Sequence, residues 1–560
     1  MKNSLFLLAA CCLIQQNYLF AQSRIELPKA RVQEIRQDGF TLSWELEEPL
    51  EAWVEWRAAH NGLSGKAYLE KFGKHYHWNY QEGEPARFYS ARFVAVKDGD
   101  TLSTEPEWFS TRSLSSGEIR VYFNHPADHS VATETPAVYL NKTVDDTLIA
   151  YLNRARETID IAIYNTTSSA SISNIAAALN NAHARGVQVR MVYNASTANT
   201  MIPNVNVQIG RIVRKTGESF GIMHNKFVVI DADAEDANQA LVWTGSTNWT
   251  VDQMNGPDEN NAILVQDQAL ARAYKIEFEE MYGSSGAQPN PSNARFGPEK
   301  QNNTPHEFNV GGKRVRSYFS PSDGTNAQIL GVINSAQSDL EFASMVITRY
   351  DLANAISNKI SQGLTEVYGI TDDSAASAPA PVIWQQLRSD LRFNRMLSHN
   401  GQSGIMHHKF VIADALASGS DPQVLTGSHN WSNAAEQKND ENTLIVHDAG
   451  IVNQYYQAFA WLFKNMSGGR SVGIQAGGLN ESAWKFYPNP ARGIVRISRP
   501  SEAQGEGTFR LMDLSGRVLL SHNFKANESQ FEMNLEGIQS GIYLLETGVG
   551  KQVLRLMIGQ

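Results

Sequence analysis

A chain of 560 residues leaves room for about three or four domains, and its 42% apolar and 9% aromatic residues suit ordinary packed cores, not a disordered or fibrous chain. The formal charge of −10 gives no general attraction for DNA, RNA or an anionic lipid surface. Both cysteines, Cys11 and Cys12, fall in the N-terminal leader, so the rest of the chain is expected to carry no disulfide and no thiolate chemistry.

The leader has Lys2, an apolar run from Leu5 to Ile14, and then Tyr18-Leu19-Phe20-Ala21-Gln22. This is the three-part pattern of a secretory signal peptide over residues 1–22, too short to span a bilayer, with removal expected near Ala21 or Gln22. No later segment reaches about 18 consecutive apolar residues, so a soluble exported protein is expected.

Residues 27–113 alternate with period two, as in Phe40-Thr41-Leu42-Ser43-Trp44 and Phe88 to Val96. Aromatics on one face and turn signals between runs predict a small β-sandwich. From 118 to 283 the pattern changes. Thr158 to Tyr164 reads as a strand, Ser171 to Arg185 as a helix stopped at Gly186, and Val187 to Tyr193 as the next strand. Strand, helix, strand predicts a parallel or mixed sheet. Residues 313–466 repeat the plan, with Asp339 to Val346 as strand and Asp351 to Gln362 as helix. Between the repeats, 284–312 carries Pro289, Pro291, Pro298 and Pro305 among Gly, Asn and Ser, and reads as a linker. A second polar linker, 467–481, leads to short alternating strands over 484–560.

The two repeats share a phrase. Met223-His224-Asn225-Lys226-Phe227-Val228-Val229-Ile230-Asp231 is answered by Met406-His407-His408-Lys409-Phe410-Val411-Ile412-Ala413-Asp414. Thr244-Gly245-Ser246-Thr247-Asn248-Trp249 is answered by Thr426-Gly427-Ser428-His429-Asn430-Trp431, and Asp258-Glu259-Asn260 by Asp440-Glu441-Asn442. In an extended segment residues i and i+2 share a face, so His224 with Lys226, and His407 with Lys409, should face one site. Phosphodiester cleavage needs a nucleophile, a proton donor for the leaving oxygen and cationic or amide groups for the non-bridging oxygens. Two facing copies supply all three. Each imidazole needs a partner on its second nitrogen, and Glu259 and Glu441 are the expected partners. Asp231 and Asp414 follow at the far end of a strand, where a supporting role is expected. His408 faces away from His407, so no metal pair is expected there. Trp249 and Trp431 are expected in the core, and His429 and His447 on the surface or in packing. The cluster Asp233, Glu235 and Asp236 reads as a solvated turn.

These residues resemble the phospholipase D superfamily, marked by two His-x-Lys-x4-Asp motifs followed by Gly-Ser-x-Asn. The resemblance covers both repeats and implies an α/β duplicated sandwich of two βα repeats, flanked here by all-β sandwich domains. It implies metal-free catalysis, without cofactor, through a phosphohistidine. His224 would be the nucleophile and His407 the acid; Lys226, Lys409, Ser246, Asn248, Ser428 and Asn430 would hold the phosphate. Since both half-sites lie on one chain, a monomer would suffice. The first module resembles fibronectin type III in strand pattern. The last segment, with Tyr487-Pro488-Asn489-Pro490 and Ser540-Gly541-Ile542-Tyr543, resembles the sorting domain of type IX secretion, which implies the secretion machinery as partner and a secreted or cell-surface location.

The motif does not separate lipid from nucleic acid. Residues 116–283 hold 12 Lys+Arg against 19 Asp+Glu, a net of −7, and residues 313–465 hold 11 against 14, a net of −3. An acidic core repels polyanions unless local basic groups offset it; Arg211, Arg214 and Lys215, and Arg388, Arg392 and Arg395, are candidates to flank the cleft. Hydrolysis of phospholipid head groups is the leading expectation. A metal-independent nuclease and a catalytically silent adhesion protein are the alternatives.

Overall fold

Alternating aromatics account for the first module. Phe40, Leu42 and Trp44 on the strand Phe40–Glu45 face inward, as do Tyr76, Trp78 and Tyr80 on His75–Tyr80, and the two strands pair antiparallel. A four-stranded and a five-stranded sheet enclose this core, where Trp44 stacks on Phe93 at 5.0 Å between centroids. The computed structural model describes residues 27–560 except 168, 196–198, 215–220, 373–379, 393, 401, 418–419, 473–484, 499–505, 514–516, 526–527, 529, 547–552 and 560. The expected signal peptide, Lys215 and most of the linker 467–481 lie outside the described residues. The first compact unit ends at Ser110 and the second starts at Thr111. Ser113, expected at the edge of the first module, instead donates from Oγ to Asp267 of the first repeat at 2.5 Å.

Each repeat builds an eight-stranded sheet, and the two sheets have matching strand orders. In the first, Ile119–Phe123, Asn261–Val265, Leu241–Gly245, Lys226–Ile230 and Thr158–Ile163 lie side by side in antiparallel contact, and Gln188–Asn194 and Gly210–Arg214 extend the sheet in parallel. In the second, Lys313–Ser320, Glu441–His447, Gln423–Gly427, Lys409–Ala413, Asp339–Ser344, Glu366–Thr371 and Met396–Ser398 repeat that order. Both motif strands, Lys226–Ile230 and Lys409–Ala413, are buried along their whole length, as their unbroken apolar runs require.

On one face, the first sheet packs with helices Val144–Leu152 and Ala170–Ala184, and the second with Thr325–Ser335, Tyr350–Ser361 and Ala380–Asp390. On the other face lie helices Gln268–Tyr282 and Ala449–Met466. Each contributes a tyrosine that joins the repeats. Tyr274 meets Phe227 and Phe319 edge-on at 5.1 and 5.0 Å, and Tyr455 meets Phe123 and Phe410 at 5.3 and 5.4 Å. Trp249 and Trp431 are buried in the two cores.

The segment 284–312, expected as a linker, is tied down. Lys300 is buried against Glu277, Gly297 N–H donates to Asp440 at 2.6 Å, and Glu307–Val310 adds a strand to the second sheet. Buried polar anchors such as Lys300 leave no mark on composition, which here shows only the prolines. The C-terminal strands between Lys485 and Ile558 close around Val495, Ile497, Phe509, Leu511 and Leu545.

Buried charge differs between the repeats within the sheets themselves. Asp160 is fully buried and pairs with Arg190 at 2.6 Å. Glu341 holds the corresponding place, but Tyr368 stands where Arg190 would be, and among the described residues neither Glu341 carboxylate oxygen accepts a hydrogen bond. Burial, and then the neighbouring Asp339, push the Glu341 carboxyl well above its usual range. A raised folded-state value means that the unfolded chain gives up this proton first. Stability is then intact below the ordinary carboxylate range and is lost as pH rises through the folded value. Glu341→Gln should raise the melting temperature at pH 8, with the gain shrinking towards pH 4; a gain independent of pH would contradict this.

Candidate active site

The site forms where the two motif strands begin. Each catalytic segment is gripped by the opposite repeat through main-chain bonds. Residues 222–224 run beside Asp440: Asp440 N–H donates to Ile222 O at 3.0 Å and His224 N–H to Asp440 O at 2.8 Å. Residues 405–407 run beside Glu259 in the same way, with Glu259 N–H to Ile405 O at 2.8 Å and His407 N–H to Glu259 O at 2.9 Å. Gly221 and Gly404 allow this approach, since a Cβ on either would meet the opposite backbone within 3 Å.

The side chains follow. His224 Nδ1 donates to Glu441 Oε2 at 2.7 Å, and His407 Nδ1 donates to Asn260 Oδ1 at 2.8 Å. Both rings thereby carry their proton on Nδ1 and present a bare Nε2; among the described residues neither Nε2 has a protein partner. Lys226 Nζ donates to His224 O and Lys409 Nζ to His407 O, each at 2.7 Å. Tyr164 stands edge-on to His224 at 4.7 Å, with Lys226 Nζ 5.2 Å from its ring centre. Met345 takes the matching place near Lys409, 3.8 Å from Nζ. Nothing in the motifs announced Tyr164; its position just past the strand Thr158–Ile163 is the only signal.

Glu441 and Glu259 are therefore not counterparts. Glu441 takes the expected place beside His224, but Glu259 does not pair with His407; the amide of Asn260 does. Ser246 Oγ binds Asn260 across 14 residues, whereas Ser428 Oγ binds Glu441 across 13. The first loop carries one residue more, around Asn255-Gly256-Pro257, so the identical tripeptides Asp-Glu-Asn sit one step out of structural register. Glu259 instead meets His399 at 2.9 Å.

Ser246 and Ser428 were expected at the phosphate. Both are wholly buried, donate to the imidazole partners and accept from Asn261 N–H and Asn442 N–H, so they orient Asn260 and Glu441. The preceding Gly245 and Gly427 have φ of 140° and 151°, with the facing strand too close for a Cβ. Asn248 and Asn430 each keep a buried amide oxygen with no partner among the described residues; Asn248 Nδ2 is held by Gln253 at 2.9 Å. Asp231 and Asp414 lie at the far strand ends, where Asp231 accepts N–H bonds from Arg156, Glu157 and Thr158, and Asp414 from Gln337 and Ser338. They fix the entry to the neighbouring strands Thr158–Ile163 and Asp339–Ser344 and do not touch the site. His408 points away from His407 and contacts His125 Nε2 at 2.7 Å. His429 is buried, with Glu436 at 3.6 Å, and His447 meets Asp421. Of the expected basic flank, Arg214 is buried against Asp440, Arg211 bonds the carbonyls of Ile202 and Val205, and Arg395 packs over Tyr368 beside Glu366.

Electrostatics set the resting state. Burial pulls the His224 imidazole down to about 4 despite the opposing pull of Glu441. Burial, Lys409 and Lys226 hold His407 well below its ordinary value. Burial also lowers Lys226 strongly and brings Lys409 to about 7. Burial alone would raise Glu441, but His224 and Lys226 outweigh it and hold the carboxyl at about 2. The site thus disfavours the charged form of both imidazoles and of both lysines and holds one carboxylate, so its cationic groups are short of counter-charge. A phosphodiester anion is the charge it lacks.

The family described as "Cardiolipin synthase, PLD-like domain" matches residues 148–282 and 329–463, and the secretion system C-terminal sorting domain matches 485–558. The mitochondrial cardiolipin hydrolase of Xenopus tropicalis is 31% identical over 161 residues, 28% of this chain and 67% of the relative. A phospholipase D of Rickettsia prowazekii is 26% identical over 190 residues, 33% of this chain and 78% of the relative. Among solved structures, the phosphatidylserine synthase of Haemophilus influenzae covers 58% of this chain and 85% of its own length, at 14% identity and a TM-score of 0.42. The sorting domain points to secretion or cell-surface export, and among the described residues no helix is long and apolar enough to cross a membrane. With both half-sites on one polypeptide, the chain belongs to the phospholipase D superfamily of phosphodiester hydrolases.

Proposed function

We propose that the chain is an exported phospholipase D-type enzyme that hydrolyses a phospholipid to phosphatidate and a free head group. With the phosphodiester anion bound, His407 takes a proton from solvent onto Nε2; His224 Nε2 then attacks phosphorus, the bond from phosphorus to the alcohol oxygen breaks, and His407 Nε2 gives that proton to the leaving oxygen. The phosphoryl group then rests on His224. A water gives its proton to His407, adds to phosphorus and releases His224. Lys226, Lys409, Asn248 and Asn430 hold the non-bridging oxygens as charge develops.

The order of the two imidazoles follows from their partners. A carboxylate beside His224 stabilises the cationic phosphoimidazole that forms there. The neutral amide beside His407 offers no such charge and leaves a protonated ring readier to give its proton away.

The observation that carries the lipid reading is the placement of the basic groups. The repeats are net acidic, and Arg190 and Arg214 are buried against Asp160 and Asp440. One phosphate is neutralised by the two lysines, but among the described residues these arginines offer no track for a polyanion. The similarity to cardiolipin hydrolases and a phospholipase D supports the same choice.

Offered phosphatidylcholine, phosphatidylethanolamine, cardiolipin and plasmid DNA in parallel, the purified chain should release phosphatidate, undiminished by EDTA. DNA cleavage without lipid turnover would establish the nuclease instead, and turnover of neither would favour the adhesion protein. Ser428→Ala should lower kcat about tenfold through misdirection of Glu441 and leave KM nearly unchanged; a serine that bound phosphate would raise KM.

A further inference from the structure

The pseudo-symmetry of the clasp makes Glu259 and Asp440 equivalent: each accepts the amide proton of the opposite repeat's catalytic histidine on its backbone oxygen, and each precedes the residue that holds that histidine's Nδ1. Their carboxylates are anchored differently. Asp440 is completely buried and receives the Arg214 guanidinium and Gly297 N–H, with Lys300 Nζ at 3.7 Å and Glu277 balancing Lys300. Burial lowers the Arg214 guanidinium of this anchor only to about 10. Among the described residues the ion-pair partner of Glu259 is His399, whose Nε2 lies 2.9 Å from its carboxylate.

His399 is itself a built element. Its side chain is 2% exposed, its N–H donates to Thr371 O at 2.9 Å, and its Nδ1 faces Asp372 Oδ1 at 3.5 Å. Asp372 Oδ1 also accepts Met406 N–H at 2.7 Å, and Asp258 Oδ1 accepts Ile405 N–H at 3.0 Å. The ring therefore sits among three carboxylates, Glu259, Asp258 and Asp372; Asp258 and Asp372 hold the segment that carries His407 through their carboxylates, and Glu259 holds it through its main chain. Lys409 is the cation that shares this field, and Asp252 lies beyond Asp258.

We infer that His399 is a positioning residue: protonated, it fixes Glu259 and through it the backbone and Nδ1 partner of His407, which makes the His407 half of the site a titratable clamp while the His224 half is permanently locked. Burial alone would lower His399, but Glu259, Asp372 and Asp258 outweigh it and raise the ring above its ordinary value. Loss of that proton leaves Glu259, whose own carboxyl burial pushes up, without its cation. The clamp then holds below the raised value and loosens as pH climbs through it.

The inference rests on the assignment of His407 as the acid, and the test separates the two. Two phosphodiester probes of one shape are compared, bis(p-nitrophenyl) phosphate and diphenyl phosphate. Phenolate is the more basic leaving group and depends more on the proton that His407 delivers. His399→Gln should lower kcat for diphenyl phosphate about tenfold at pH 6, lower it less for the nitrophenyl ester, and remove an alkaline limb from the kcat profile with little change in KM. His399→Gln combined with Glu259→Gln restores a neutral hydrogen-bonding pair and should recover part of the loss, which a merely unfolded variant would not do. A profile identical in shape to that of the parent chain, or a loss equal at every pH and not recovered in the double variant, overturns the clamp. Removal of the limb with equal losses on both esters supports the clamp and reverses the order of His224 and His407.

Discussion

Everything at this site depends on the grip of each repeat on the other's catalytic segment. His224 is held by Asp440 O and Glu441, both from the second repeat, and His407 by Glu259 O and Asn260, both from the first. A half-site alone has its imidazole and ammonium but not the groups that aim them. Duplication with fusion is thus more than a doubling of parts, because the backbone hydrogen bonds that cross the boundary can form only when both sheets are present. The aromatic bridges through Tyr274 and Tyr455 and the buried anchors of the connector serve the same boundary.

The grip allows an electrostatic arrangement that would otherwise be costly. Two ammoniums buried beside two imidazoles repel one another, and burial penalises each charge. The fold tolerates them by pulling Lys226 and Lys409 down and by placing one carboxylate, Glu441, at the centre. The site is held short of negative charge, so an incoming phosphate completes it. Near-symmetry of the backbone with asymmetry of the polar partners then gives two chemically identical side chains different tasks.

Much of this was legible in the sequence where the reasoning was local. The alternation His-x-Lys put both groups on one face, and the buried run after each lysine put Asp231 and Asp414 at the remote strand end, where the structure has them. The two sheets followed from the repeated strand and helix patterns. What failed was non-local. Identical Asp-Glu-Asn tripeptides implied equivalent glutamates, but one extra loop residue moved Asn260 into the position of Glu441, and spacing alone cannot reveal which residue meets a strand from the other repeat. The serines looked like phosphate ligands because their type permits it; only the hydrogen bonds to Asn260 and Glu441 show them occupied. Arg214 read as a candidate to flank the cleft, and no local pattern signals a buried partner more than two hundred residues away. The Gly-Ile-Met preceding both histidines, at 221–223 and 404–406, was the available sign of the crossing segments.

The central claim is that the carboxylate-bound imidazole carries the phosphoryl group. Rapid acid-free quenching during turnover, followed by mass-spectrometric mapping of phosphoramidate peptides, tests it directly. The partner asymmetry predicts the covalent group on His224, accumulating further in His407→Asn. A covalent group on His407, or full turnover with no phosphohistidine in either peptide, would contradict it.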